Sequence, residues 1–197
     1  MPQQHLIKFL QSTGLIPPQK AVEIAACFAP KDLQKGELFL KAGRVADEYL
    51  FLSSGLMRAF AFDTEGNEVT TAFFTGNGVV FEVSSFFNRT PSCENIQALT
   101  GCTGCCIHYE QLNGLFHAMP EFREFGRQML VRGFAALKDR MLSTITETTD
   151  LRYEKLLQKS PEILQHVPLK HIASFLGVTD SSLSRIRKEL SKKHPAG

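Results

Sequence analysis

The sequence predicts an α+β protein in which a β-rich unit flanked by helices is followed by a long helix and a C-terminal helical domain. Three observations predict this order. Short apolar runs separated by turn residues fill the first half of the chain, a helical pattern continues for nearly thirty residues after Pro120, and two short amphipathic segments meet at Gly177. A chain of 197 residues, 43% of them apolar, is long enough for one medium domain and a small one.

Two short helices are expected before the β-rich unit. The segments HLIKFLQ and AVEIAACF have helical spacing of apolar residues and are separated by Gly14 and Pro17-Pro18, which interrupt helices. From Leu38 the period changes to short strands bounded by turn residues. The predicted strand segments are ELFLKAG, EYLFLSSGLMRAFAFD, NEVTTAFF, NGVVFEV, ENIQAL and CTGCCIHYE, with a hairpin turn between Asp63 and Glu68.

The helix predicted after Pro120 carries an apolar stripe, here called the seam, which consists of Leu130, Phe134, Leu137, Met141 and then Thr144 or Ile145. Steps of three and four residues are typical of helices that pair with a second copy. Because charged residues occupy the other faces, the seam predicts a homodimer. The alternative is a stripe that packs against its own chain.

The C-terminal stretch HIASFLGVTDSSLSRIRKEL meets the requirements of a helix-turn-helix. Ala173 supplies a small side chain where the helices cross, Gly177 permits a positive φ in the turn, and Thr179 can cap the second helix. Apolar residues are available for the inner faces: Ile172, Leu176, Val178, Leu183 and Ile186. An ordinary helical hairpin is the alternative, but it would require neither the small residue and the glycine nor a basic second helix.

The second helix of this motif has the composition of a DNA-recognition helix. Residues 169–197 hold six lysines and arginines against two acidic residues, although the whole chain has a net charge of only +2. Asp180, Ser181, Ser182 and Arg185 fall on the outer face, where base edges are read, and Arg185 can hold guanine through two hydrogen bonds. Contacts to DNA phosphates are expected from a second group: Thr179, Arg187, Lys188, Lys192 and Lys193.

This order of elements, with the motifs IASFLGVTDSSLSRIRKEL and DEYLFLSSGLMRAF, resembles the CRP/FNR family of regulators over almost the whole chain. The resemblance implies a cyclic-nucleotide-binding-like β-roll sensor domain at residues 1–118, a dimerisation helix at 119–150 and a helix-turn-helix DNA-binding domain at 151–197. The family usually continues from the recognition helix into a β-wing, whereas only SKKHPAG follows here. The sequence therefore resembles a short-tailed branch of the family, in which binding to the DNA backbone depends more on the lysines.

Family members that bind cyclic AMP carry a phosphate cassette, in which a glutamate accepts a hydrogen bond from the ribose and an arginine pairs with the phosphate. The matching stretch here is VVFEVSSFFNRTPSCENIQAL. It keeps Glu82, but Ser92 stands at the arginine position and Phe81 at that of a glycine. An effector pocket would therefore draw on Glu82, Arg89, Ser92 and Cys93. Because the arginine is missing, we expect cyclic AMP to bind weakly or not at all.

Three of the five cysteines form a C-x-x-C-C run: Cys102, Cys105 and Cys106. Neighbouring residues of a strand point to opposite faces, so Cys105 and Cys106 cannot easily share one metal ion. We expect them to be small buried hydrophobes, with a redox switch as the alternative. No nucleophile–base pattern, phosphate loop or pair of carboxylates indicates catalysis, so we expect neither an enzyme nor a cofactor nor a bound metal.

Together these features predict a dimeric, cytoplasmic transcriptional regulator whose sensor domain does not bind cyclic AMP in the usual way. The expected partners are double-stranded DNA, a second copy of the chain and a small-molecule effector of unspecified identity, with RNA polymerase as a further candidate. No segment resembles a membrane span or a signal peptide, so no membrane partner is expected. The alternative is a ligand-binding module that signals through protein contacts, and the basic second helix argues against it.

Overall fold

A computed structural model describes residues 2–193 of the chain, and the side chains of residues 2–190. It begins with two helices, α1 (Pro2–Gln11) and α2 (Pro18–Ala26), as the sequence predicts. The apolar sides of both helices are buried, with Leu6, Leu10 and Ile24 each at most 1% exposed. The two helices therefore close one side of the β-rich unit.

Two four-stranded antiparallel sheets pack against each other and enclose the main core, which includes Phe51, Met57 and Ile96. The strand orders are β1-β8-β3-β6 and β2-β7-β4-β5. The strands are β1 (Ala29–Leu33), β2 (Leu38–Leu40), β3 (Glu48–Ser54), β4 (Leu56–Phe62), β5 (Glu68–Thr75), β6 (Gly78–Val80), β7 (Asn95–Ala98) and β8 (Cys102–His108).

Two tight connections shape this β unit. Gly55, which divides β3 from β4, has a φ of 104°, and a Cβ atom there would lie 2.6 Å from the Cys102 sulfur, so only glycine fits. The predicted hairpin joins β4 to β5, and its turn is held by the Asp63 carboxylate, which accepts hydrogen bonds from the backbone N–H groups of Glu65 and Asn67.

Three elements of the β unit were not predicted. They are the strand β1 and the helices α3 (Val83–Asn88) and α4 (Tyr109–Ala118). The segments NGVVFEV and CTGCCIHYE were predicted as strands throughout, but β6 ends at Val80 and β8 at His108. Local capping explains the first difference, because the Glu82 carboxylate accepts hydrogen bonds from Ser84 N and Ser85 N and so starts α3.

The long helix α5 spans Pro120–Thr146 and is followed by α6 (Thr149–Lys159) and α7 (Glu162–His166), which Pro161 separates as expected. The first turns of α5 are anchored on the β unit by Phe122 and Phe125, both buried. Gly126 admits the Phe116 ring of α4, because a Cβ atom there would lie 2.7 Å from a ring carbon. Beyond that point α5 extends away from the core, and its residues from 130 onward are largely exposed.

A second, smaller hydrophobic cluster holds the C-terminal helices together. Its members from α6 to α9 include Tyr153, Ile163 and Ile172, while Leu56 and Leu99 come from the β unit. The C-terminal helical region therefore shares its core with the β unit.

Candidate DNA interface and effector pocket

The helices α8 (Leu169–Leu176) and α9 (Asp180–Lys193) form the predicted helix-turn-helix. The turn residue Gly177 has a φ of 71°, and the next residue, Val178, donates a backbone hydrogen bond of 3.0 Å to Ala173 O. Ala173 is 1% exposed, as expected for the crossing point. The inner faces are buried as predicted at four positions, with Val178 partly buried: Ile172, Leu176, Leu183 and Ile186.

The outer face of α9 presents three of the four candidate base-reading residues to solvent: Asp180, Ser181 and Arg185. The fourth, Ser182, is half-buried at the helix start. Thr179 caps the helix, because its hydroxyl accepts a hydrogen bond of 3.3 Å from Ser182 N, and it lies 3.0 Å from the hydroxyls of both Ser181 and Ser182. The cap therefore occupies the serine hydroxyls and leaves Arg185 as the long polar side chain of this surface.

The candidate phosphate-contacting residues differ in their surroundings. Arg187 lies against Tyr153 of α6, where burial raises the pKa of the Tyr153 hydroxyl and the nearby guanidinium works in the opposite direction. Arg187 therefore also supports the packing of α9 on α6. Lys188 is exposed, and the side chains of Lys192 and Lys193 lie outside the described residues.

A buried arginine that the sequence analysis missed joins the helix-turn-helix to the β unit. Arg58 of β4 is 3% exposed and donates hydrogen bonds to Glu68 Oε2 at 2.5 Å and to Gln97 Oε1 at 3.1 Å. Its Nη1 lies 2.7 Å from Nδ1 of His171 in α8. Burial and the Arg58 charge lower the pKa of His171 to about 4, so the imidazole is neutral at pH 7 and its Nδ1 accepts the hydrogen bond.

Further contacts fix α8 on strand β5. Thr70 N donates a hydrogen bond of 2.7 Å to the Ser174 hydroxyl, and the rings of Phe73 and Phe175 lie 5.0 Å apart. Arg140 of α5 lies over the Phe175 ring, with its guanidinium carbon 4.1 Å from the ring centre. The first helix of the motif is thus held by the β unit and by α5, while α9 faces away from this contact.

The cassette stretch is folded around its own residues. The Glu82 carboxylate caps α3, and the Ser92 hydroxyl, which is buried, accepts from Glu94 N at 3.0 Å and donates to Glu94 O at 2.8 Å. Arg89 points elsewhere, because it pairs with Asp47 at 2.6 Å and stacks on the ring of Tyr109. Of the four candidate pocket residues, the last, Cys93, is exposed. The structure therefore directs Arg89 away from the arginine position of the cassette.

Aromatic rings fill the interior beside the cassette. Phe86 is fully buried, and its ring centre lies 5.5 Å from that of Phe81 and 5.3 Å from that of Phe87. Tyr49 adds a fourth ring, 4.9 Å from Phe81. The four rings therefore form one aromatic cluster beside the cassette.

The three clustered cysteines are buried, and burial raises the pKa of each thiol, that of Cys106 to about 11. A thiol with a raised pKa forms little of the reactive thiolate at neutral pH. Among residues 2–190, no group of three or more histidine, cysteine or acidic side chains is arranged to hold a metal ion. The arrangement gives the redox alternative no support.

The family of cyclic nucleotide-binding domains matches residues 30–118 of the chain. Solved structures similar to most of it include FixK2 from Bradyrhizobium japonicum, with 16% identity over 86% of this chain and 87% of that one at a TM-score of 0.74. Residues 30–118 therefore form a cyclic nucleotide-binding domain, and the chain has the CRP/FNR fold.

Two further structures support the same fold. The catabolite activator protein of Thermus thermophilus is 18% identical over 94% of this chain and 87% of that one, with a TM-score of 0.56. The c-di-GMP-responsive global regulator CLP of Xanthomonas campestris is 19% identical over 85% and 88%, with a TM-score of 0.62. No curated protein sequence matches the chain significantly. In the part of the chain that the structure describes, no helix has the length and apolar character needed to cross a bilayer.

Proposed function

We propose that the chain is a non-enzymatic transcriptional regulator of the CRP/FNR type that binds double-stranded DNA as a dimer. The observation that carries this proposal is the surface of α9, where Arg185 is exposed directly behind a capped helix start. Leu183 and Ile186 are buried on the opposite side of the same helix. In helix-turn-helix proteins this geometry places the first turns of the second helix against base edges in the major groove.

The basic residues of α9 supply the attraction to DNA that does not depend on sequence. Lysine and arginine contacts to phosphates release counterions, so the logarithm of affinity falls by about 0.9 per contact for each tenfold rise in salt. Arg185 would add sequence discrimination through guanine, worth about 1–3 kcal/mol. All of these contacts stay predictions: those to phosphates from Thr179, Arg187, Lys188, Lys192 and Lys193, and those to bases from Asp180, Ser181, Ser182 and Arg185.

The seam of α5 supports dimerisation because large parts of its apolar side chains are exposed in one copy. Phe134 is 71% exposed, Leu137 64% and Ile145 74%. An apolar stripe of this length, left uncovered in one copy, is expected to be buried by a second copy of the helix. Two copies of α9 would then meet successive major grooves, about 34 Å apart, on a site with two-fold symmetry.

The DNA-binding experiment is fluorescence anisotropy with random duplex DNA over a salt series. The variant Arg185→Ala/Lys188→Ala is expected to bind more weakly and to reduce the slope of log affinity against log salt by up to about 2. It leaves Arg187 and its contact with Tyr153 in place. The matched control, Lys35→Ala/Lys41→Ala, removes two exposed charges from the β unit and should bind like the parent. Salt-independent binding, or none, would instead favour signalling through protein contacts.

The dimer is tested by light scattering after size-exclusion chromatography. Phe134→Glu places a charge in the seam and is expected to yield a monomer. Arg132→Glu introduces a glutamate on the opposite side of the same helix and should leave the dimer intact. A dimer in both variants would show that the seam is not the interface.

A further inference from the structure

A buried polar cluster joins the helix-turn-helix to the β unit. Arg58 of β4 lies between Glu68 of β5 and His171 of α8, and it is almost fully buried. Its guanidinium also donates to Gln97 of β7 and lies over the Phe60 ring, 4.1 Å from the ring centre. Four elements therefore meet at one arginine, and of these only α8 belongs to the helix-turn-helix.

The contact between Arg58 and His171 requires an uncharged imidazole. An arginine only donates hydrogen bonds, so Nδ1 of His171, which lies 2.7 Å from Arg58 Nη1, must accept. A protonated imidazole carries hydrogen on both ring nitrogens and has no lone pair left to accept with. Protonation of His171 would therefore replace a hydrogen bond between buried groups by a contact between two cations.

The surroundings of His171 disfavour a positive charge on its ring. Burial opposes protonation most strongly, Arg58 and then Lys170 add to it, and the carboxylates of Glu68 and Asp180 work in the opposite direction. The pKa of His171 is therefore about 4, against an ordinary value of 6.5. Glu68 already pairs with Arg58 at 2.5 Å, so it is not a free counterion for a second cation. His171 binds a proton far more readily once it leaves this site.

A cleft of about 380 Å³ borders His171 between the β4–β5 hairpin and the helix-turn-helix. Asn67 and Glu68 line it on the hairpin side, and residues of α8 and the start of α9, Lys170 among them, line the other side. Movement of α8 away from the hairpin would widen this cleft and expose the imidazole to water.

The other contacts that hold α8 on the β unit do not titrate near neutral pH. The Ser174 hydroxyl accepts a hydrogen bond of 2.7 Å from Thr70 N, and the rings of Phe73 and Phe175 lie 5.0 Å apart. Histidine is the side chain whose ordinary titration falls between pH 5 and 8. His171 therefore makes this docking surface sensitive to pH in that range.

We propose that the pair Arg58–His171, here called the latch, holds α8 on the β unit while His171 is neutral, and that protonation of His171 releases the helix-turn-helix and weakens DNA binding. In the docked arrangement α9 faces away from the β unit with Arg185 exposed, and its orientation is fixed. Release removes this orientation, which must then be restored at a cost in affinity when DNA binds. The effect on DNA rests on the proposed function, whereas the latch itself is measured without DNA.

The size of the expected effect follows from the proton affinity of His171 in the two arrangements. The pKa is about 4 when α8 is docked and near the ordinary 6.5 when it is released, so a falling pH favours release. Docking is strongest above pH 6.5 and weakens between 6.5 and 4. Between pH 7.5 and pH 5.5 the equilibrium constant for release rises about tenfold.

Hydrogen exchange followed by NMR measures release directly, because the amide of Thr70 is protected by its hydrogen bond to α8. Its protection factor, which corrects for the intrinsic pH dependence of exchange, is expected to be about tenfold smaller at pH 5.5 than at pH 7.5. The amide of Ala98 donates to Glu37 O at 2.9 Å within the β unit and is the control, which should keep its protection. Equal losses at both amides would indicate general unfolding and would overturn the proposal.

Two variants separate the latch from other titrating groups. His171→Asn places an amide oxygen near the position of Nδ1, so it keeps an acceptor for Arg58 but does not titrate, and the protection of Thr70 should no longer depend on pH. The matched control is His166→Asn, at an exposed position of α7, which should behave like the parent.

The parent protein provides a test that needs no variant. The ring resonances of His171 should titrate with a midpoint well below 6.5 in the docked protein. A midpoint of 6.5, or a pH dependence of Thr70 protection that persists in a folded His171→Asn variant, would overturn the latch.

The effect on DNA is measured by fluorescence anisotropy with random duplex DNA at the same two pH values and constant salt. Protonation of histidines adds positive charge and by itself strengthens DNA binding. A parent that binds several-fold more weakly at pH 5.5 would show the opposite trend, as the latch predicts. His171→Asn should lack this weakening, and His166→Asn should keep it.

The two readouts distinguish failure of the latch from failure of the proposed function. If the parent binds DNA at neither pH, the proposed function is wrong and the effect on DNA with it, while the exchange of Thr70 still decides the latch. If Thr70 loses protection in acid but the affinity for DNA does not fall, the latch is confirmed and its role in DNA binding is overturned.

Discussion

The two hydrophobic clusters of the molecule differ in independence. The cluster inside the β unit is closed by its own helices and strands, whereas the cluster of the helical region takes Leu56 and Leu99 from the β unit. The polar contact between Arg58 and His171 crosses the same boundary. A small domain buries a smaller fraction of its surface than a large one and is less stable alone. The helix-turn-helix region therefore depends for part of its stability on contacts with the β unit. A change in the β unit that moves these shared contacts is therefore expected to change the position or stability of the helix-turn-helix.

Removing Arg58 tests this dependence most severely. Arg58→Ala leaves His171 and Gln97 without their buried partner, so we expect the free energy of unfolding to fall by about 3 kcal/mol. Urea unfolding followed by circular dichroism measures it. The exposed Arg44→Ala is the control and should stay within about 0.5 kcal/mol of the parent. A similarly small loss for Arg58→Ala would mean that the two clusters are independent.

Lowering the pH is expected to weaken the contact between Arg58 and His171 and so to destabilise the protein. The pKa of His171 is about 4 in the native state and 6.5 when unperturbed, so the unfolded state binds the proton first as the pH falls. The stabilising effect is complete above pH 6.5 and is lost between 6.5 and 4. The loss is at most about 3 kcal/mol and is measured by urea unfolding across this range.

In His171→Gln the free energy of unfolding should depend less on pH between 6.5 and 4, because the titrating group is gone. His117→Gln, at an exposed position, serves as the control and should keep the slope of the parent. An unchanged slope in His171→Gln would assign the acid sensitivity to other groups.

Two glycine substitutions, one in each part of the molecule, are expected to change the stability of the protein in opposite directions. Gly177→Ala forces a side chain into a left-handed turn of the smaller cluster and should destabilise the protein by about 1 kcal/mol. Gly133→Ala, in the exposed middle of α5 with open space around it, should stabilise by about 1 kcal/mol. Thermal unfolding distinguishes the two signs. Equal effects would contradict the assigned turn.

Cyclic AMP is expected to have the smallest effect. Since Ser92 replaces the arginine and Arg89 is bound to Asp47, the nucleotide should not shift the melting temperature measurably. Calorimetry provides the direct measurement. A dissociation constant in the low micromolar range would show that cations outside the cassette, such as Arg140, replace the missing arginine.

Much of the fold could be predicted because its signals are local. The helix-turn-helix residues lie within one stretch, and both the turn at Gly177 and the cap at Thr179 are confirmed. Of the elements that were missed, α3 depends on a single cap at Glu82, and β1 buries only Leu33, so neither shows an apolar period in the sequence. The domain boundaries, the DNA-contacting residues and the dimer stay predictions.

The sequence by itself determined the order of the main elements, the apolar stripe of α5, the polar outer face of α9 and the absence of an arginine from its position in the cassette. Each of these is set by residues a few positions apart, for which periodicity and capping rules suffice. Only the tertiary structure decided that Arg58 meets His171, 113 positions away, and that Thr70 N donates to the Ser174 hydroxyl. Such sites depend on how separate elements pack, because burial and a shared partner arise only when distant segments meet.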